Sequence, residues 1–71
     1  MHADRTTFVP FQPGAVYDIL VTDEKTNFQH VYVLDLPGTD VAAAVTLALE
    51  TYIRVRVYDV TGVLVLRAVR R

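Results

Sequence analysis

Residues 52–58 alternate strictly between aliphatic and larger polar side chains, in the order Tyr-Ile-Arg-Val-Arg-Val-Tyr. Because successive side chains of a β-strand point to opposite faces, this period of two predicts a strand with one aliphatic and one polar face. The aliphatic face, which belongs in a core, consists of Ile53, Val55 and Val57. The polar face, which could hold an anion, a nucleic-acid backbone or a partner protein, consists of Tyr52, Arg54, Arg56 and Tyr58.

A return strand over residues 63–69 completes a C-terminal hairpin, because Asp59 and Gly62 suit the first and last positions of the turn between the strands. We expect Tyr58 to pair with Val63, which joins the aliphatic side chains of both strands into one apolar face. In this register the residues opposite the aliphatic face of the first strand are Leu64, Leu66 and Ala68.

The same register places Arg54 opposite Arg67 on the polar face. Like charges directly across a hairpin repel each other by a few tenths to about 1 kcal/mol, so we expect a carboxylate or a bound anion between them. Asp18 or Glu24 from a neighbouring strand could supply the carboxylate, or solvent alone could screen the pair.

Residues 15–22 and 28–36 are rich in Val, Ile, Leu, Tyr and Phe, which predicts two further strands. The polar stretch between them begins with an aspartate that can start a type I turn and ends with an asparagine that tolerates a left-handed backbone. A hairpin follows, but its register stays open. Pairing Val21 with Phe28 and pairing it with Gln29 both give sensible apolar sets.

Residues 36–39, Leu-Pro-Gly-Thr, predict a type II turn with Gly38 at the position that requires a positive φ. Thr39 or Asp40 can then cap a helix of about eleven residues that begins near Val41. Such a helix is marginal alone and needs an apolar stripe laid on the sheet. The stripe consists of Val41, Ala44, Val45, Ala48 and Leu49.

These elements predict a single α+β domain over residues 15–71 in the order β-β-α-β-β, with one helix packed on one face of a four-stranded, mainly antiparallel sheet. Residues 1–14 contain two of the three prolines and predict an extended N-terminal arm. Phe8 and Phe11 are too apolar for a solvated tail, so we expect the arm to lie across the core or across a neighbouring subunit.

Length and composition limit the classes of protein to which this chain can belong. A chain of 71 residues buries only about 60% of its unfolded surface, so the monomer is expected to be marginal and helped by oligomerisation. Cysteine is absent, which excludes disulfides and favours a cytoplasmic location. No apolar run approaches the roughly 20 residues of a membrane span, and the N-terminus lacks the features of a signal peptide. We therefore expect a soluble, unprocessed protein.

No motif for catalysis, a cofactor or a metal is present. Serine and cysteine are both absent, so a hydrolase would need an unusual nucleophile without a recognisable base. His2 and His30 are too few for a histidine-based site, although His30 could meet Asp18 across the first hairpin. Asp35 and Asp59 stand where strands are predicted to end, and bonds to the local backbone account for them. We predict a protein that is not an enzyme and uses no cofactor.

The remaining feature is the basic and aromatic surface of the C-terminal hairpin. We expect a non-catalytic protein-interaction module that is homodimeric through the second sheet face or an edge strand. It would bind a larger protein or complex, as accessory or phage-type inhibitors do, through the basic face of the C-terminal hairpin or through the apolar N-terminal arm. The predicted binding residues are Tyr52, Arg54, Arg56, Tyr58, Arg67 and Arg70. The predicted interface residues are Phe8, Phe11, Val63, Val65 and Val69.

Nucleic-acid binding is the alternative interpretation of the same surface. Arginines would contact phosphates, while Tyr52 or Tyr58 would stack on bases. The formal net charge of -1 disfavours this alternative, because the whole molecule has no strong field to attract a polyanion. A membrane partner is not expected.

Overall fold

The computed structural model describes residues 11–70 and contains four strands and one helix. The elements are β1 (Val16–Thr22), β2 (Gln29–Pro37), α1 (Gly38–Ala48), β3 (Arg54–Tyr58) and β4 (Leu64–Val69). They form one sheet in the order β2-β1-β3-β4, with every neighbouring pair antiparallel. The predicted α+β class and the order β-β-α-β-β are confirmed. The prediction for Phe8 lies outside the described residues.

The core lies between one face of the sheet and α1. Alternate residues of β1 and β3 point into it, so that the two central strands supply most of its volume. The helix contacts β1 and β2 and closes the core from above. The buried apolar residues are Tyr17, Ile19, Val21, Val41, Val45, Ala48, Val55 and Val57.

The helix presents the predicted stripe to the sheet, with Ala44 and Leu49 half-buried beside its fully buried members. It begins earlier than predicted, at Gly38, and follows β2 without an intervening turn. Pro37 is the residue that precedes the helix, with φ -58° and ψ 144°, and no side chain caps the first turn. The predicted type II turn and the predicted cap from Thr39 or Asp40 are therefore wrong.

Gly38 is required for space rather than for a positive φ. A Cβ on Gly38 would collide with the backbone carbonyl of Gln12 and would lie 3.2 Å from a ring carbon of Tyr17. The amide of Gly38 donates to the carbonyl oxygen of Ala15 at 3.0 Å. The N-terminal segment thus passes directly over the start of α1, an approach that only glycine permits.

The described part of the N-terminal arm packs on this domain's own core. The rings of Phe11 and Tyr17 meet edge to face with centroids 5.2 Å apart. The hydroxyl of Tyr17 accepts a hydrogen bond from the backbone amide of Gln12 at 3.0 Å. Of the two predicted positions for Phe11, across the core or across a neighbouring subunit, the structure gives the first.

The register of the first hairpin differs from both alternatives, because Val21 pairs with His30. The turn is longer than either alternative allowed, with Asn27 left-handed at φ 62°, as predicted for that residue. Two register shifts interrupt the β1–β2 ladder. At one of them Asp35 has φ 57°, and its amide donates to the carboxylate of Asp18 at 3.1 Å. Asp35 therefore lies within a bulged strand and not at a strand end.

The second hairpin is two residues out of its predicted register. Gly62 has φ 84°, its amide donates to the carbonyl of Asp59 at 2.9 Å, and Asp59 in turn donates to the carbonyl of Val63 at 3.0 Å. This is a type I turn followed by a left-handed glycine. A further shift in the ladder then brings Leu66 opposite Val57. A displacement of two residues preserves the apolar face, so Val55, Val57, Leu66 and Ala68 pack on the core as predicted, whereas the shift puts Leu64 opposite Tyr58, off that face.

We expect Gly38→Ala to lower the free energy of unfolding by about 1–3 kcal/mol, because the new methyl group must displace the backbone at Gln12. Gly14→Ala is the matched control, since nothing lies within 4 Å of the Cβ it would add. Urea denaturation of both variants measures the difference. Equal stability of the two would contradict the close approach described for Gly38.

Candidate functional site

The sheet face turned away from α1 carries the candidate site, and we call it the open face. Its residues follow from the ladders, because directly paired residues share a face. Three rows cross the sheet. They are Gln29, Thr22, Arg54 and Val69; then Val31, Leu20, Arg56 and Arg67; then Asp18, Tyr58 and Leu64.

Three arginines form the centre of the open face. Arg56 lies directly opposite Arg67 on β4, and Arg54 lies two residues before Arg56 on β3, on the same side of the sheet. The amide of Arg70 donates to the carbonyl of Ile53 at 2.8 Å, which marks the hydrogen-bonded positions of this ladder. By alternation, Arg56 and Arg67 occupy a non-hydrogen-bonded pair, where opposing Cα atoms are only about 4.5 Å apart. The sequence had predicted Arg54 as the partner of Arg67.

No carboxylate within residues 11–70 forms an ion pair with these three arginines. Glu24 pairs instead with Arg70, at 2.8 Å from Nη2 to Oε1. Asp18 uses its carboxylate on the amide of Asp35. The two acidic residues proposed from the sequence as partners of the arginine pair are therefore both engaged elsewhere.

Aliphatic side chains surround the arginines. Val31 and Val69 are 59% and 52% exposed, and Leu64 is 44% exposed, which is high for residues of this type within strands. Leu64 lies opposite Tyr58, since the irregularity in β4 moves it to the position predicted for a valine. Val65 is exposed at this irregularity. The open face combines positive charge with accessible apolar surface.

Val63 lies at the end of the hairpin turn, where it accepts a hydrogen bond from Asp59 and is 56% exposed. It precedes β4 and has no place in the three rows of the open face. Of the valines predicted for the interface, Val69 alone holds a paired position on that face.

Tyr52 does not join the open face, which corrects the sequence prediction. The strand begins only at Arg54, so the alternation of the sequence extends two residues beyond the regular structure. Tyr52 packs against the core instead, with its ring edge to face with Tyr32 at a centroid distance of 6.1 Å. Tyr58 is thus the aromatic residue that the hairpin presents beside the arginines.

Arg70, which the sequence placed among the binding residues, is held by contacts within the domain. Its Nη1 donates to the backbone carbonyls of Leu49 at 3.4 Å and of Glu50 at 3.2 Å, just after the C-terminal end of α1. A cation is favourable there, because the last carbonyls of a helix lack backbone donors and carry partial negative charge. Together with Glu24, these contacts give Arg70 a structural role in joining the end of β4 to the helix.

Asp59 organises the turn of the hairpin that carries the arginines. Its Oδ1 accepts hydrogen bonds from the hydroxyl of Thr61 at 2.6 Å, from the amide of Thr61 at 2.9 Å and from the amide of Val63 at 3.1 Å. The hydroxyl of Thr61, followed by these amides, lowers the pKa of Asp59 below its ordinary value of 3.8. Asp23 plays the same part in the first hairpin, where the amides of Lys25 and Thr26 lower its pKa.

The part of the chain from 11 to 70 contains no group of three or more histidine, aspartate or glutamate residues placed to hold a metal ion. His30 is exposed on β2 and pairs with Val21, whereas Asp18 lies at the other end of that ladder and binds Asp35. His30 and Asp18, which the sequence could have brought together across the first hairpin, therefore lie apart.

Leu20, Val31 and Leu64 are the aliphatic open-face residues that sequence reasoning missed. Each lies in a predicted strand. The face of Val31 depends on the register of the first hairpin, which the sequence left open, and the face of Leu64 depends on the irregularity between Val57 and Tyr58. The alternation of β1 was the one available signal, since Leu20 falls between the buried Ile19 and Val21.

Comparisons of the chain with protein-family models, with curated proteins and with solved structures return no match. Among the residues that the structure describes, α1 is too short to cross a membrane, and no other helix is present.

We expect Arg67→Glu to raise the free energy of unfolding by a few tenths to about 1 kcal/mol, because it replaces repulsion with attraction at the pair with Arg56. Arg67→Gln should give a smaller increase, since it removes the repulsion without adding an attraction. Urea denaturation at low and high salt measures both effects, and the gain should shrink as salt screens the charges. A loss of stability in Arg67→Glu at low salt would contradict the pairing.

A pH series tests the role of Asp59. Its pKa is lower in the folded protein than the ordinary 3.8, so its carboxylate stabilises the fold above that pH and loses this effect as pH falls through the folded-state value. Asp59→Asn should therefore be less stable than the parent near pH 7, and the difference should narrow as the pH falls below 3.8 and through the folded-state pKa. A difference that stays constant over this range would show that the charge of Asp59 contributes nothing.

Proposed function

We propose that this domain is a non-catalytic protein-interaction module that binds a partner protein through the open face. The observation that carries the proposal is a cluster of three arginines, without carboxylate partners among the described residues, set among exposed aliphatic side chains. Repulsion between Arg56 and Arg67 is relieved when an anionic group lies between them. The ligand chemistry that fits the centre is therefore a carboxylate.

The aliphatic surroundings favour a protein over other anionic ligands. The exposed aliphatic side chains form no favourable contact with a phosphate backbone; they are Val31, Leu64 and Val69. At the centre of a protein interface, burial of such side chains stabilises the complex. Tyrosine and arginine are enriched among the residues that dominate binding energy, and Tyr58 lies beside the arginines. An acidic side chain flanked by apolar residues is the partner surface that matches.

Nucleic-acid binding is weakened as an alternative by the position of Arg70. The sequence offered this arginine for phosphate contact, but it is engaged by Glu24 and by the carbonyls after α1. Among residues 11–70, three arginines then remain on the open face, beside one aromatic side chain suited to stacking, Tyr58. The formal net charge of -1 adds no long-range attraction.

A domain of this kind acts by occupying a surface of a larger protein or complex, in the manner of an accessory subunit or inhibitor. We place this activity in the cytoplasm because the chain has no cysteine to stabilise it in an oxidising compartment. The size of the domain supports a role in occlusion rather than catalysis, since a core of eight buried apolar residues leaves little volume for a substrate pocket.

Comparative affinity capture tests the proposal. The parent protein, Arg67→Glu and Lys25→Glu are immobilised, exposed to lysate of the native host, and the retained proteins are quantified by mass spectrometry. Lys25 lies in the exposed turn between β1 and β2, so its reversal makes the same charge change away from the open face. We expect a protein that the parent and Lys25→Glu retain and that Arg67→Glu loses.

The same experiment separates the alternatives. Retention of the same proteins by all three baits would contradict a role for the open face. Retention of nucleic acid that falls steeply between about 50 and 200 mM salt would replace the proposal with the nucleic-acid alternative. Because Arg67→Glu is expected to be at least as stable as the parent, its loss of binding cannot come from unfolding.

A further inference from the structure

Strand β4 leaves one side of its backbone without a partner among the described residues, since it lies at the end of the sheet. The bond from the amide of Arg70 to the carbonyl of Ile53 fixes which backbone groups point inward. Because these groups alternate in direction along a strand, the N–H and C=O groups of Arg67 and Val69 point away from β3. The free edge therefore presents a hydrogen-bonding pattern ready for another antiparallel strand.

The two edges of the sheet differ in how they are protected. The β2 edge has two register shifts, a left-handed residue at Asp35 and a proline at position 37, all of which disturb pairing with another strand. Strand β4 has the sequence Leu-Val-Leu-Arg-Ala-Val, with one charge and no proline, and its ladder is regular from Leu66 to Val69. An apolar edge that lacks such protection is a template for pairing with another strand.

We infer that β4 pairs antiparallel with β4 of a second copy of this chain, around a two-fold axis at Ala68. Antiparallel pairing of identical strands is closed by a two-fold axis, so the edge is its own complement. The pairing joins two four-stranded sheets into one of eight strands. Both helices then lie on one side of it, and the two open faces form a continuous surface on the other.

The axis at Ala68 follows from eliminating its neighbours. Registers that keep matching faces together and overlap a substantial part of β4 are centred on Leu66, Arg67 or Ala68. An axis at Leu66 uses the irregular start of the strand, where the ladder with β3 shifts. An axis at Arg67 places two guanidiniums directly opposite each other. An axis at Ala68 places Arg67 opposite Val69 of the other copy and lets the outward backbone groups of both form hydrogen bonds.

Association with a second copy would also stabilise the folded domain. A domain of this size buries only about 60% of the surface of its unfolded chain. Pairing at β4 would cover Val69, which is 52% exposed, and would satisfy backbone groups along the edge. Association that stabilises the folded form in this way makes the stability depend on protein concentration.

Single cysteine variants test the pairing, because the natural chain contains no cysteine. In the inferred dimer the two Ala68 residues form a non-hydrogen-bonded pair with Cα atoms about 4.5 Å apart, within the range of about 4.4–6.8 Å for disulfides. Ala68→Cys should therefore give a covalent dimer under mild oxidation. Arg67→Cys is the control, since this residue is more exposed but lies diagonally across from its copy. Crosslinking of Arg67→Cys in preference to Ala68→Cys would overturn the inference.

Proline substitutions provide a test that needs no crosslink. The N–H of Val69 points outward, so Val69→Pro should keep the fold, as proline does on an edge strand, but remove a hydrogen bond of the dimer. Light scattering should give the parent twice the chain mass of 8.0 kDa and Val69→Pro the mass of one chain, with unchanged circular dichroism. A monomeric parent at hundreds of micromolar would overturn the inference whatever the open face binds.

Discussion

The antiparallel pairing of β1 with β3 at the centre of the sheet is the contact on which the rest of the structure depends. Ile19 pairs with Val57 and Val21 with Val55, and all four side chains are almost completely buried. These strands are far apart in sequence, so α1 and its connections must carry the chain from one hairpin to the other. Burying that face commits the alternate residues of both strands to the opposite side. The position of the arginine cluster is therefore a direct consequence of core formation.

The buried faces of β3 and α1 could be predicted from the sequence, but which residues are paired could not. Periodicity determines a face, and a shift of two residues along a strand leaves that face unchanged. Arg67 consequently lies opposite Arg56 and not Arg54, although Leu66 and Ala68 pack on the core as expected. The irregularity at Asp35 is of a different kind, because it depends on the carboxylate of Asp18 from another strand. No local pattern encodes such a contact.

Three residues show how tertiary contacts override local signals. Pro-Gly suggested a turn, but Gly38 is explained by the chain that crosses above it, a contact from far outside the local sequence. Tyr52 continues the alternation of β3 but lies before the strand begins and packs on the core. Arg70 resembles the other arginines in sequence, yet the carbonyls after α1 bind it. Charge and periodicity predicted the arginines at the centre of the candidate site. Tertiary packing decided which neighbouring residues lie outside it.

The open face and the free edge have a common physical origin in the size of the chain. One helix of eleven residues covers β1 and β2, and nothing else within residues 11–70 is available to cover the second side of a four-stranded sheet. A sheet can leave one side in water only if that side is polar. Here it is mixed, with leucine and valine exposed beside arginine. Val31 and Val69 are more than half exposed on this side, and their exposure is the reason for proposing a contact with another polypeptide there.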